Sequence, residues 1–166
     1  KAKKEEREWG NKLIKKTSLK VNPNWTTQVG EGIVHDVLIA KGENPRKCKT
    51  KNGFKPDWET DDYIYEVKTR NWTVTGTAGE KVLGTMFKYI DVPKIYGKPL
   101  KIICVAYQEW EFTNGHTKLF GDMSDSQKEI LEYYKSFGIE YVKFSDLLAK
   151  LPTTQSAHQS SSPPDS

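Results

Sequence analysis

One stretch of this chain holds residue types whose spacing can do chemistry. It runs Lys55-Pro56-Asp57-Trp58-Glu59-Thr60-Asp61-Asp62-Tyr63-Ile64-Tyr65-Glu66-Val67-Lys68. Trp58, Tyr63, Ile64, Tyr65 and Val67 favour strands, and Asp61-Asp62 between them reads as a two-residue turn. Counting back from that turn, Thr60 faces Tyr63, Glu59 faces Ile64, Trp58 faces Tyr65 and Asp57 faces Glu66. Opposed residues of an antiparallel pair have Cβ atoms roughly 5 Å apart, and period-2 alternation brings Lys68 to the same face. Two carboxylates and an ammonium therefore converge. Opposed like charges are destabilising, so the pair calls for a compensating cation. Lys68 supplies part of it. Mg²⁺ suits the rest, because it takes oxygen ligands, keeps several waters and is often held by one or two carboxylates plus a substrate phosphate. A metal there polarises a phosphate and lowers the pKa of a bound water, while the ammonium steadies that water or the developing charge. The implied reaction is phosphodiester hydrolysis, with Mn²⁺ expected to substitute for Mg²⁺.

The elements that must position these residues can be read from periodicity. Val29, Ile33, Val37 and Ala40 recur at helical spacing over residues 27–41, with Gly42 and Pro45 as the stop. That helix places Glu31 and His35 on one face. After the hairpin over 54–69, Thr77-Ala78-Gly79-Glu80 has capping-box order, and Val82, Leu83, Met86, Phe87 and Ile90 continue as an apolar stripe that Pro93 bends or ends. Residues 100–107 are almost continuously apolar, as a strand buried on both faces must be. Ser126-Gln127-Lys128-Glu129 is expected to cap a helix that Gly138 ends, before a strand over 139–144 and a short helix over 145–150. Residues 1–20 read as a basic arm or helix, and 152–166, with no apolar side chain larger than Ala, as a disordered tail. Residues 21–151 form the expected domain.

The chain has 166 residues, a size that buries a core without disulfides or metal staples. With 29% charged residues it contains no run near the roughly 18 apolar residues of a membrane span. Its two cysteines, Cys48 and Cys104, lack zinc-site spacing, and the expected setting is intracellular and reducing. The start at Lys1 suggests that further sequence, including whole domains, precedes it. Net charge is +4, yet the first twenty residues carry eight Lys or Arg against three Glu. A second basic cluster runs from Lys41 through Arg46, Lys47, Lys49 and Lys51 to Lys55, with Glu43 its one acid. Such patches suit a polyanion, since each cation placed on a phosphate releases condensed counterions. Lys81, beside a Gly-rich helix start, and Arg70, just past the hairpin, extend the candidate nucleic-acid contacts. Gln108 follows the buried strand and is placed to support the cleft. Trp25, Trp72 and Trp110 suit base stacking or packing.

These residues resemble the PD-(D/E)xK nucleases, the superfamily that includes most type II restriction endonucleases. The resemblance covers residues 27–144. Asp57 looks like the family's signature acid, Glu66 like its second acid and Lys68 like its lysine. Glu31 is similar to the additional Glu that the preceding helix often contributes. The gap from Asp57 to Glu66 is short for the family, and no motif surrounds Glu31. The resemblance implies an α/β fold with a restriction-endonuclease-like core of helix, three-stranded meander, helix and strand, its central mixed sheet flanked by helices. It further implies an Mg²⁺-dependent endonuclease acting on double-stranded DNA, leaving a 5′-phosphate and a 3′-hydroxyl, with a homodimer as one way to cut both strands. A non-cleaving nucleic-acid-binding module of the same fold is the alternative.

Overall fold

The computed structural model describes residues 25–70 and 78–151. In chain order its elements are α1 (Trp25–Ala40), β1 (Arg46–Lys47), β2 (Trp58–Glu59), β3 (Ile64–Arg70), α2 (Ala78–Lys88), α3 (Val92–Tyr96), β4 (Leu100–Ala106), α4 (Tyr107–Asn114), α5 (Asp125–Ser136), β5 (Ile139–Lys143) and α6 (Phe144–Ala149). The strands make one sheet in the order β1-β2-β3-β4-β5, antiparallel as far as β3 and parallel from there on. This is an α/β architecture with a five-stranded mixed open sheet flanked by helices. The basic arm over 1–20, the link over 71–77 and the tail over 152–166 lie outside the described residues.

In the parallel half each step needs a crossover, and these crossovers lay helices on the sheet. β4 lies between β3 and β5, and Ile102, Ile103 and Cys104 are fully buried. Each of the two isoleucines contributes about 1.5–3 kcal/mol by leaving water. Alternation along β3 sorts its side chains between two cores. Tyr65 and Val67 pack with Val34, Val37, Leu38 and Leu147 from α1 and α6. Ile64 packs with Met86, Tyr89, Val92 and Tyr96 from α2, its exit and α3. Glu66 and Lys68 alternate with the first set, so they point toward the α2 side.

Several local expectations shift. The buried face of α1 is Gly30, Val34, Val37 and Leu38, whereas Ile33 and Ala40 are exposed. The stripe turns because α1 must meet β3 closely at Gly30, where a Cβ would stand 1.7 Å from the Thr69 hydroxyl oxygen. Phe87, expected in the apolar stripe of α2, is 78% exposed. Pro93 opens α3 instead of ending a longer helix, since proline fits a first helical turn. The cap of α5 is Ser124 with Gln127, two residues before the expected Ser126, and both reciprocal hydrogen bonds of a capping box are present. β1 and α4 carry no clear sequence signal of their own: two residues show no period, and Tyr107–Asn114 scatters three aromatics among polar residues. None of the described helices is long and apolar enough to cross a membrane.

Candidate active site

The hairpin takes the register expected from its turn. Trp58 pairs with Tyr65 and Glu59 with Ile64, while the Thr60 amide donates to the Tyr63 carbonyl at 2.9 Å. Just before β2, the Asp57 amide donates to the Tyr65 carbonyl at 3.1 Å. The Asp57 carboxylate accepts from the Val67 amide at 2.7 Å, which fixes it across from Glu66. Burial pushes the Asp57 carboxyl up to about 7, and the Glu66 and Glu31 carboxylates add to the push, against the Val67 amide and Lys68. The same acids act on Cys48, whose thiol is pushed up to about 12, first by burial and then by Glu59, Asp57 and Glu66.

Glu66 is buried, with 6% of its surface exposed. Its Oε1 accepts from Lys68 Nζ at 2.7 Å and from the Tyr89 hydroxyl at 3.3 Å. Burial, and then the charge of Glu66, raises the Tyr89 phenol well above its ordinary range, so it remains a neutral donor. Glu66 Oε2 is also buried and has no hydrogen-bond partner. An unsatisfied buried acceptor costs about 1–3 kcal/mol, more when charged, and in a native fold such an atom calls for an ion or a water. A hard cation fits this donor set: two carboxylates from facing sides of a hairpin, one with an unsatisfied oxygen and the other free of its proton only from about neutral pH upward. Among the described residues no group of three or more His, Cys, Asp or Glu side chains stands together as a ready cage, and the two-carboxylate sites typical of Mg²⁺ do not require one.

Glu31 reaches this corner from α1, brought in by the close approach at Gly30. Its carbonyl accepts from Trp58 Nε1 at 3.0 Å, and its carboxylate accepts from Lys47 Nζ at 2.7 Å. Lys47 lies 3.9 Å over the Trp58 ring, whose other neighbour is the His35 imidazole at 4.7 Å. The third acid is therefore near enough to act on Asp57 and already holds an ammonium. Lys49, Lys51 and Lys55 are exposed on the loop that leads to Asp57, with Lys51 over the Tyr96 ring at 4.7 Å. Lys81 is exposed near the start of α2.

Two other candidates belong to a separate cluster. Arg70 is buried at the end of β3, with its guanidinium 2.5 Å from the Glu111 carboxylate and 5.0 Å from the Tyr107 ring centre. Gln108 is 1% exposed and donates to the same Glu111 carboxylate at 3.5 Å. Arg70 and Gln108 thus meet each other through Glu111 rather than meeting the acids. Sequence reasoning misses Tyr89, although a signal exists: it follows Met86 by three residues and puts a hydroxyl on a buried face. An apolar hollow of about 270 Å³ lies elsewhere, lined by Met86, Leu119, Ile130, Leu131 and Tyr141 among others, and none of the candidate residues borders it.

Comparisons with family models, curated proteins and solved structures found no match for this chain.

Proposed function

We propose that this chain is a metal-dependent endonuclease that hydrolyses DNA phosphodiester bonds, a restriction-type enzyme with a restriction-endonuclease-like core. The observation that supports the reading best is the unpartnered, buried Glu66 Oε2 beside an Asp57 held at about 7 by burial and neighbouring acids. Acids perturbed by burial and by like charge cluster at sites for cations and catalysis. Asp57 and Glu66 would hold Mg²⁺, with Glu31 joining if it releases Lys47. When bound, the ion supplies Lewis acidity toward a phosphate and lowers the pKa of a coordinated water. Lys68, tethered to Glu66 Oε1, would orient the attacking water or steady negative charge on the phosphate. Asp57 must shed its proton to serve as a ligand, so cation affinity should rise from about pH 6 to about pH 8. The exposed lysines at 47, 49, 51 and 55 lead along the loop to this corner and would take backbone phosphates.

A second reading is a nucleic-acid-binding module that does not cut. The closed pairs Lys68–Glu66 and Lys47–Glu31, both at 2.7 Å, favour it. Supercoiled plasmid incubated with Mg²⁺ and, in parallel, with EDTA separates the two. The enzyme nicks or linearises the plasmid with Mg²⁺ or Mn²⁺ and leaves it intact in EDTA. Binding without cleavage in any divalent ion selects the module, and robust cleavage in EDTA overturns the metal-dependent reading.

A further inference from the structure

On the same face of β3 that carries Glu66 and Lys68, alternation next presents Arg70, and a stack begins there. The Arg70 guanidinium lies 5.0 Å from the Tyr107 ring centre, and the Tyr107 ring lies 5.2 Å from the Trp110 ring at an interplanar angle of 19°. Tyr107 and Trp110 are three residues apart on α4, the spacing that puts side chains over one another on a helix. Trp110, the outermost plate, is 46% exposed.

The surroundings fix the inner end of this stack. Arg70 is fixed from behind by Glu111, which also takes Gln108. Parallel pairing sets Arg70 beside Ala106, whose backbone has φ 58° and ψ −128°. That is a costly conformation for a residue with a Cβ, of order 1–3 kcal/mol, and it turns the chain from β4 directly into α4. The acids flanking Trp110 are both engaged: Glu111 on Arg70, and Glu109 on the Ser145 amide and hydroxyl. Glu111 is neutralised by its ion pair with Arg70, whereas Glu109 keeps its charge and is turned toward Ser145. From Lys68 to Trp110 the steps are two residues along β3, one strand spacing to Ala106 and one helical turn, together about 17 Å.

We propose that Trp110 is a stacking platform for an unpaired nucleobase, so that the nucleic acid acted on at Asp57 and Glu66 is engaged where it is single-stranded or splayed. The proposal rests on the nuclease reading for its polymer and deepens it by naming the form of that polymer. Every base offers a π-face, so the contact is tolerant of sequence. A near-parallel pair of aromatic rings ending in an exposed Trp, backed by a cation and sited on the face that carries Lys68, suits a planar ring better than it suits an aliphatic protein side chain.

The test is fluorescence anisotropy with Ca²⁺ present to prevent turnover, using a labelled forked oligonucleotide and a fully paired duplex of the same length. Wild type, Trp110→Ala and Trp110→Phe are compared, with circular dichroism confirming that each folds. Trp110→Ala should weaken fork binding about 5- to 100-fold, the range for losing one stacked base, while Trp110→Phe keeps most of it and duplex affinity changes less than about twofold. Unchanged fork affinity in Trp110→Ala overturns the platform alone. The same result together with wild-type self-association that Trp110→Ala abolishes assigns the stack to a protein contact and also overturns it. Wild type that binds neither oligonucleotide overturns the nucleic-acid reading itself, and the platform with it.

Discussion

Asp57 and Glu59 stand two residues apart on one side of a hairpin, and the fold treats them in opposite ways. Glu59, near the turn, receives Lys98 Nζ at 2.7 Å and Arg46 at 3.4 Å. Those cations, the Lys98 hydrogen bond foremost, hold its carboxyl below the usual range. Asp57, near the open end, sits among Glu66 and Glu31 and is pushed up to about 7. The turn end is charge-balanced and stabilises the hairpin. The open end carries more acid than the nearby lysines neutralise, at a cost in stability, and leaves Glu66 Oε2 unsatisfied. Removing a buried charge's partner is costly, and this contrast is what supports the proposal of a cation at the open end.

Removing acids at both ends gives the sharpest contrast. Asp57→Ala and Glu66→Ala should each cut plasmid cleavage by more than about 100-fold, beyond the loss typical for residues that only support a ligand. Glu59→Ala should leave turnover per folded molecule within about threefold. Lys68→Ala belongs with the first group in turnover yet should keep metal-dependent DNA binding, since in the proposed mechanism it would hold water or charge rather than the ion. Equal effects at the two ends, measured by gel assay, would erase the comparison.

Stability should move with opposite signs. Because the folded state holds the Asp57 proton more tightly than the unfolded chain does, its contribution falls as pH rises from about 4 to about 7 and is flat above. Asp57→Asn keeps an acceptor for the Val67 amide and removes the charge, so in the absence of divalent ions it should gain about 1–3 kcal/mol at pH 8. Glu59 contributes stability above its ordinary carboxylate range and loses it on acidification, so Glu59→Gln should cost about 0.5–1 kcal/mol at pH 7. Urea unfolding across a range of about pH 4 to pH 8 reads both.

The smallest effect concerns the approach to the open end. Replacing Lys47, Lys49, Lys51 and Lys55 with Gln should flatten the dependence of log K on log salt by about 0.9 for each phosphate no longer neutralised. Lys47 has an additional consequence, because removing its ammonium frees the Glu31 carboxylate next to Asp57. An unchanged slope in filter binding would place the DNA path elsewhere.

The hairpin is legible in the sequence because its information is local. A two-residue turn fixes register, register fixes which residues face each other, and the pairs Trp58–Tyr65 and Glu59–Ile64 follow from counting. The buried strand β4 is legible from its apolar run for the same reason. What stays hidden depends on partners distant in sequence. Lys47 meets Glu31 across sixteen positions and Arg70 meets Glu111 across forty-one, and no spacing rule reaches that far. Arg70 and Gln108 read as a DNA contact and a supporting group for the cleft, whereas burial brings them together around Glu111. The face of α1 reads one step off because Ile33 outranks Gly30 in hydrophobicity, while close packing on Thr69 demands the residue with no side chain.

The central claim, that the open end of the hairpin is a cation site, is tested most directly by Tm at pH 8 for wild type, Asp57→Asn and Glu59→Gln. Each is measured with and without about 10 mM Mg²⁺, because binding to the folded state alone stabilises by RT ln(1 + [L]/Kd), a gain that grows with concentration. The account predicts that Mg²⁺ raises the Tm of wild type and Glu59→Gln alike and leaves Asp57→Asn unmoved. A wild-type Tm indifferent to Mg²⁺, or an equal rise in Asp57→Asn, would contradict it.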